Sequence, residues 1–178
     1  MGTVRRFLNM VPGITISCGA AGAIGGLVSL DSNFLGFAVF GALCGLGLGV
    51  ASDGGRRTVV AVIAGAVGFV AGIALATVLG MTIGLSLGPL PWYSVAQSLL
   101  IGGAAGLVAG ISLAWGSGWP RLRWLAAIGM GVGFGLAALI NEEWLLPVLR
   151  SDTLAALPLG LWGVLGGLGL GIARRHVR

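Results

Sequence analysis

Lysine does not occur in this chain. Its ten basic residues are all arginine, and they stand against five acids, one histidine, two cysteines and one tyrosine. Charged residues make up 8% of the 178, where a water-soluble domain carries roughly 25%. So little charge cannot cover a chain in polar surface, which excludes a globule facing water on every side. The missing lysine removes the phosphate-cradling P-loop, and the glycine-rich runs lack the strand-then-helix setting that nucleotide loops need. His176 sits near the C-terminal end, and no set of His, Cys and acids has ligand spacing or pairs a nucleophile with a base. No catalytic residue, metal site or cofactor is therefore expected, and the chain reads as a non-enzyme. With 6 prolines and no Gly-X-Y period, collagen is excluded as well.

What the chain has in excess is apolar surface and glycine. Hydrophobic residues reach 57%, glycine counts 35, and the mean hydropathy is +1.04. Such a chain is solvated by lipid. Six apolar runs, at 10–30, 33–52, 58–86, 93–115, 124–141 and 154–173, each approach the ~20 residues that a membrane-spanning helix needs. The third is the longest, and its end is blurred by Gly80, Gly84 and Gly88-Pro89-Leu90-Pro91. Paired Arg5 and Arg6 ahead of a weakly apolar segment invite a signal-peptide reading. Phe7 follows the pair directly, off the twin-arginine pattern, so the first run is expected to be a retained span.

The charges orient the spans. Arg5, Arg6, Arg56, Arg57, Arg121, Arg123, Arg174, Arg175 and Arg178 fall on one side, while Asp31, Glu142, Glu143, Arg150 and Asp152 fall on the other. Arginine marks the cytoplasmic side, so both termini are expected there and the protein in the cell membrane. Trp92 and Trp144 map to the outer boundary and Trp115, Trp119 and Trp124 to the inner one, where indoles favour the headgroup level. Trp162, inside the sixth run, reads as a packing residue or belt anchor. The isoelectric point of 11.1 points toward nucleic acid, but the arginines come as short pairs with no interleaved aromatics. No nucleic-acid partner is expected.

One pattern recurs. Gly41, Gly45 and Gly49 form a GxxxGxxxG run, as do Gly102, Gly106 and Gly110, and Gly163, Gly167 and Gly171; each run follows the one before by 61 residues. The odd-numbered spans match less well: "CGAAGAIGG" (18–26) aligns with "AGAVGFVAG" (64–72), and "GMGVGFGLA" (129–137) aligns with the latter through Val132, Gly133 and Phe134. The fold expected is all-α and integral to the membrane: a single domain over 1–178 of six helices. These form three tandem two-helix hairpins (5–55, 56–120 and 121–178), packed through GxxxG-type glycine faces. Glycines four apart share one helix face, and a bare face admits another backbone.

Activity is harder to read. The outer connections of the second and third hairpins are enlarged, with "LGPLPWY" and "NEEWLLPVLRSD", and loops are where function gathers. A candidate outer-face solute site comprises Trp92, Tyr93, Ser94, Gln97, Glu143 and Trp144. Ser98, Thr77 and Thr82 are further polar groups expected to lie inside the outer half of the bundle, and Cys18 and Cys44 fall at similar depth as small buried thiols. The expected function is a non-catalytic membrane subunit or scaffold of a larger complex. It would touch itself or a protein partner through glycine faces and anionic headgroups through its arginines. The alternative is a transport component for a neutral or apolar solute.

Overall fold

A computed structural model describes residues 11–28, 33–52, 55–87, 93–140 and 156–175. Among them there are six α-helices and no strand: α1 (Val11–Val28), α2 (Asn33–Ala51), α3 (Arg56–Leu87), α4 (Tyr93–Gly116), α5 (Arg123–Ile140) and α6 (Ala156–Arg175). All six are long and apolar enough to cross a membrane, as expected for a multi-pass membrane protein. Their ends fall within about two residues of the apolar runs read from sequence, which is the ordinary uncertainty of a helix boundary. Glycine weakens a helix in water. In lipid every backbone N–H and C=O must find an internal partner, so the helix persists through it. At 32 residues, α3 is about 48 Å long against a hydrocarbon core of about 30 Å, so it tilts or stands proud at one end.

Each helix packs chiefly against its neighbours in sequence, and α6 packs against α1. The six therefore form a closed ring. Its centre is filled by aromatic side chains. Phe40 of α2 and Phe134 of α5 come from opposite sides of the ring and stack with centroids 6.0 Å apart. Phe69 of α3 meets both edge-on, at 4.5 and 5.6 Å. Trp162 of α6 lies 5.0 Å from Phe134 and 6.0 Å from Phe37. Phe40, Phe69 and Phe134 are at most 1% exposed and Trp162 is 8% exposed, so Trp162 is a packing residue of the core. Such pairs add about 0.5–1.5 kcal/mol each beyond the area they bury.

The helices approach one another at glycines. A Cβ added to Gly45 would strike the Ala61 carbonyl, and one on Gly106 the Met130 carbonyl. One on Gly110 would lie 2.5 Å from the Ala126 oxygen, and one on Gly163 would strike the Cys18 carbonyl. These contacts join α2 to α3, α4 to α5 and α6 to α1, so they lie between the expected hairpins. Within the hairpins, Gly72 meets Ala105, and Gly129 and Gly169 face each other's carbonyls. The sequence alignment sets Met130 opposite Gly65. The contacts differ by one helical turn: Gly41 lies against Gly65, but Gly102 lies against Phe134. Each of these glycines comes closest to a backbone carbonyl rather than a side chain, so a slip of one turn still sets a bare glycine against backbone.

The turn from α4 to α5 is fixed by its own hydrogen bonds. Gly118 has φ 77°, the Trp119 N–H donates to Ala114 O at 2.8 Å and the Gly118 N–H to Trp115 O at 3.1 Å. This is a Schellman cap, with a glycine in the left-handed region closing the helix. Pro120 follows and opens a 3-10 turn over Pro120–Leu122.

The packing gives a paired expectation. Gly106→Leu forces a side chain into the Met130 backbone and costs about 3 kcal/mol or more. Leu107 is 43% exposed, so Leu107→Ala costs less than about 1 kcal/mol. Unfolding of the two purified variants in mixed detergent checks the order.

Candidate functional site

All six described arginines gather at one end of the ring, where α2, α4 and α6 finish and α1, α3 and α5 begin: Arg56, Arg57, Arg121, Arg123, Arg174 and Arg175. Arg5, Arg6, Arg150 and Arg178, and all five acids, lie outside the described residues. Alternating helix direction produces this gathering, because each described pair sits at, or in the turn just before, the start of an odd helix or at the end of an even one.

The end is built as well as charged. The Arg174 guanidinium lies 3.8 Å from the centre of the Trp119 ring, a cation–π contact that turns this arginine back over the bundle. Trp119 is set there by the glycine cap one residue before it. Arg57 comes to the same place, its Nη1 3.5 Å from where a Gly118 Cβ would be. Beneath lies a buried polar pair. The Ser52 hydroxyl is 2.9 Å from Leu48 O and 3.1 Å from Ser117 O, sharing its proton between two carbonyls and tying the end of α2 to the end of α4. The Ser117 hydroxyl is fully enclosed and meets no acceptor among the described residues. The other two tryptophans of this end face outward: Trp115 and Trp124 are 67% and 62% exposed, and Arg123 sits 5.6 Å from the Trp124 ring. What this end can do chemically is hold anions. Sequence reasoning placed its arginines but missed the Trp119–Arg174 pair and the Ser52–Ser117 tie, which join residues 55 or more apart in the chain. Only the Gly118-Trp119-Pro120 turn signal hinted at a fixed Trp119.

At the opposite end, the expected solute site is only partly in view. Trp92, Glu143 and Trp144 lie outside the described residues. Tyr93 and Ser94 form the first turn of α4. Gln97 is half-buried, its amide nitrogen 3.7 Å from where a Gly80 Cβ would be, in the α3–α4 seam. Ser98 is buried beside it in sequence. Thr77 and Thr82 do not turn inward. Both are exposed, and their hydroxyls donate to their own helix, to Ile73 O and Val78 O at 2.8 Å each. A threonine satisfied by the carbonyl four residues back can face lipid at little cost.

Cys18 and Cys44 are both buried in the core cluster, with their thiols near each other between α1 and α2. No cluster of three metal-ligating side chains occurs among the described residues. Two grooves open on the outer wall. One of about 370 Å³ runs between α4 and α5, with Gly103, Gly131 and Gly135 in its floor and Leu99, Leu107, Ile128, Val132 and Leu136 along its rims. The other, of about 640 Å³, lies between α1 and α6 at the arginine end. Comparison with known protein families, with curated proteins and with solved structures finds no match for this chain.

The cation–π contact is measurable. A double-mutant cycle of Trp119→Leu with Arg174→Gln is expected to give a coupling of about 1–2 kcal/mol in unfolding free energy. The same cycle on the exposed Trp124–Arg123 pair gives below about 0.5 kcal/mol.

Proposed function

We propose that this protein is a non-catalytic, multi-pass subunit or scaffold of a larger membrane complex. It is built as three tandem hairpins (5–55, 56–120 and 121–178) joined through glycine faces. The observation that carries this reading is a division among the glycines. Gly45, Gly106, Gly110 and Gly163 are spent on contacts inside the chain. Gly103, Gly131 and Gly135 lie in the α4–α5 seam with looser contacts, and they also line a groove on the lipid-facing wall beside exposed Leu107, Ile128 and Val132. Helices in lipid associate by close van der Waals contact over small residues. A bare glycine floor between aliphatic rims suits the ridge of a partner helix. The aromatic centre adds support, because it leaves the ring axis filled and argues against a pore along it.

In this reading the arginine end faces the cytoplasm with both termini, and its guanidinium groups lie against anionic headgroups. A transport role for a neutral solute is the second reading. The half-buried Gln97 in the α3–α4 seam favours it, as a hydrogen-bonding group held among apolar helices near the outer end. Tyr93, Ser94, Trp92, Glu143 and Trp144 would complete that site.

The partner reading is tested in membranes with a photo-crosslinking residue at position 132, in the groove, and at position 67 on the exposed face of α3. A discrete protein adduct from 132 and none from 67 is expected; no protein adduct from either refutes the scaffold reading. Orientation is tested by single cysteines. Positions 31 and 152 are expected to react with an impermeant thiol reagent added outside intact cells, and positions 57 and 175 only after lysis. The native cysteines are buried and give a low background.

A further inference from the structure

The larger groove differs from the α4–α5 groove in its chemistry. Its walls are Pro12, Thr15 and Ile16 of α1 and Leu168 and Ile172 of α6, and Arg175 stands at its mouth. Ile16, Leu168 and Ile172 are 60%, 40% and 47% exposed, so the walls are open to lipid along their length. The Thr15 hydroxyl is satisfied by Val11 O at 2.9 Å, which leaves the wall without a spare donor. From Arg175 to Leu168 the groove runs inward for about 10 Å at the helical rise, well within one bilayer leaflet. An apolar slot with the Arg175 cation at the edge of the membrane complements one kind of molecule: an amphiphile with an acyl chain and an anionic head.

We propose that the α1–α6 groove is a binding site for an anionic phospholipid, with an acyl chain along Ile16, Leu168 and Ile172 and the phosphate on Arg175. The two adjacent arginines divide the work. Arg174 is turned inward over Trp119, and Arg175 is left at the groove. The site also lies on the one joint of the ring that no connection spans, since α1 and α6 meet from opposite ends of the chain. A lipid seated there touches both helices and favours the closed ring over the open one, so binding reads out as stability. The inference goes beyond the scaffold reading and rests only on the placement of the arginine end at a membrane boundary.

The experiment uses the full chain, delipidated in a non-ionic detergent, with thermal unfolding followed during titration. The probes are phosphatidylglycerol, phosphatidylcholine of the same acyl chains, and inorganic phosphate. Phosphatidylglycerol is expected to raise Tm saturably, phosphatidylcholine to do so only at about tenfold higher concentration or more, and phosphate alone to do nothing. Arg175→Gln is expected to raise the half-saturating phosphatidylglycerol concentration about tenfold, while Arg123→Gln at the same end changes it less than about twofold. Ile16→Trp, which fills the slot and keeps the arginine, is expected to abolish the saturable shift. Equal stabilisation by the two lipids overturns the proposal, as do equal effects of the two arginine variants, an undiminished response in Ile16→Trp, or a response to phosphate matching that to lipid. The groove at α4–α5 is untouched by these variants, so crosslinking there succeeds or fails independently.

Discussion

The structure depends on how closely two helix backbones approach each other in a solvent that gives them no hydrophobic reason to meet. Lipid tails are as apolar as leucine, so burying leucine against leucine gains little. What remains is dispersion, which is weak per atom pair and falls off steeply with separation. The contacts at Gly45, Gly106, Gly129, Gly163 and Gly169 place a backbone where the first carbon of any other side chain would already overlap it. Removing that carbon converts a poor joint into a good one. Abundant glycine thus supports this fold, whereas in a soluble helix it would cost up to about 1 kcal/mol per residue.

Close seams leave a small central space, and the aromatic side chains complete it. Phe40, Phe69, Phe134 and Trp162 come from four helices and touch in one cluster. Gly166 lies directly against the Phe134 ring, so glycine also makes room for the largest side chains. The two devices suit each other: thin seams draw the helices in, and bulky rings set how far. The polar features are displaced to the ends, where the Ser52–Ser117 tie and the Trp119–Arg174 contact fix the mutual positions of α2, α4 and α6.

Much of this was legible in the sequence. Six spans and their boundaries followed from hydropathy alone, because a run of about 20 apolar residues has few other fates. The gathering of the described arginines followed from the same alternation. Which helix each glycine run meets was not legible. Periodicity identifies a face but not its partner, and Gly102 could sit over the backbone of Met130 or of Phe134, since a glycine meets any residue's carbonyl alike. Thr77 and Thr82 were misplaced for a related reason. Their hydroxyls suggest an interior, yet the carbonyl four residues back satisfies them on the outside. The outer-face candidate is in view only at Gln97, since Trp92, Glu143 and Trp144 fall outside the described residues.

The ring closes between its first and last helices, which sets an order on how it is made. Spans enter a bilayer from the N-terminus onward as the chain is synthesised. Gly19 and Gly22 of α1 pack against Val164 and Leu159 of α6, so their partner emerges only after the other five helices have been made. Until then α1 has one neighbour in place of two, and its bare glycine stripe faces lipid or other helices nearby. The ring therefore closes only once α6 is in place, and a truncation that removes α6 uncovers faces of both α1 and α5.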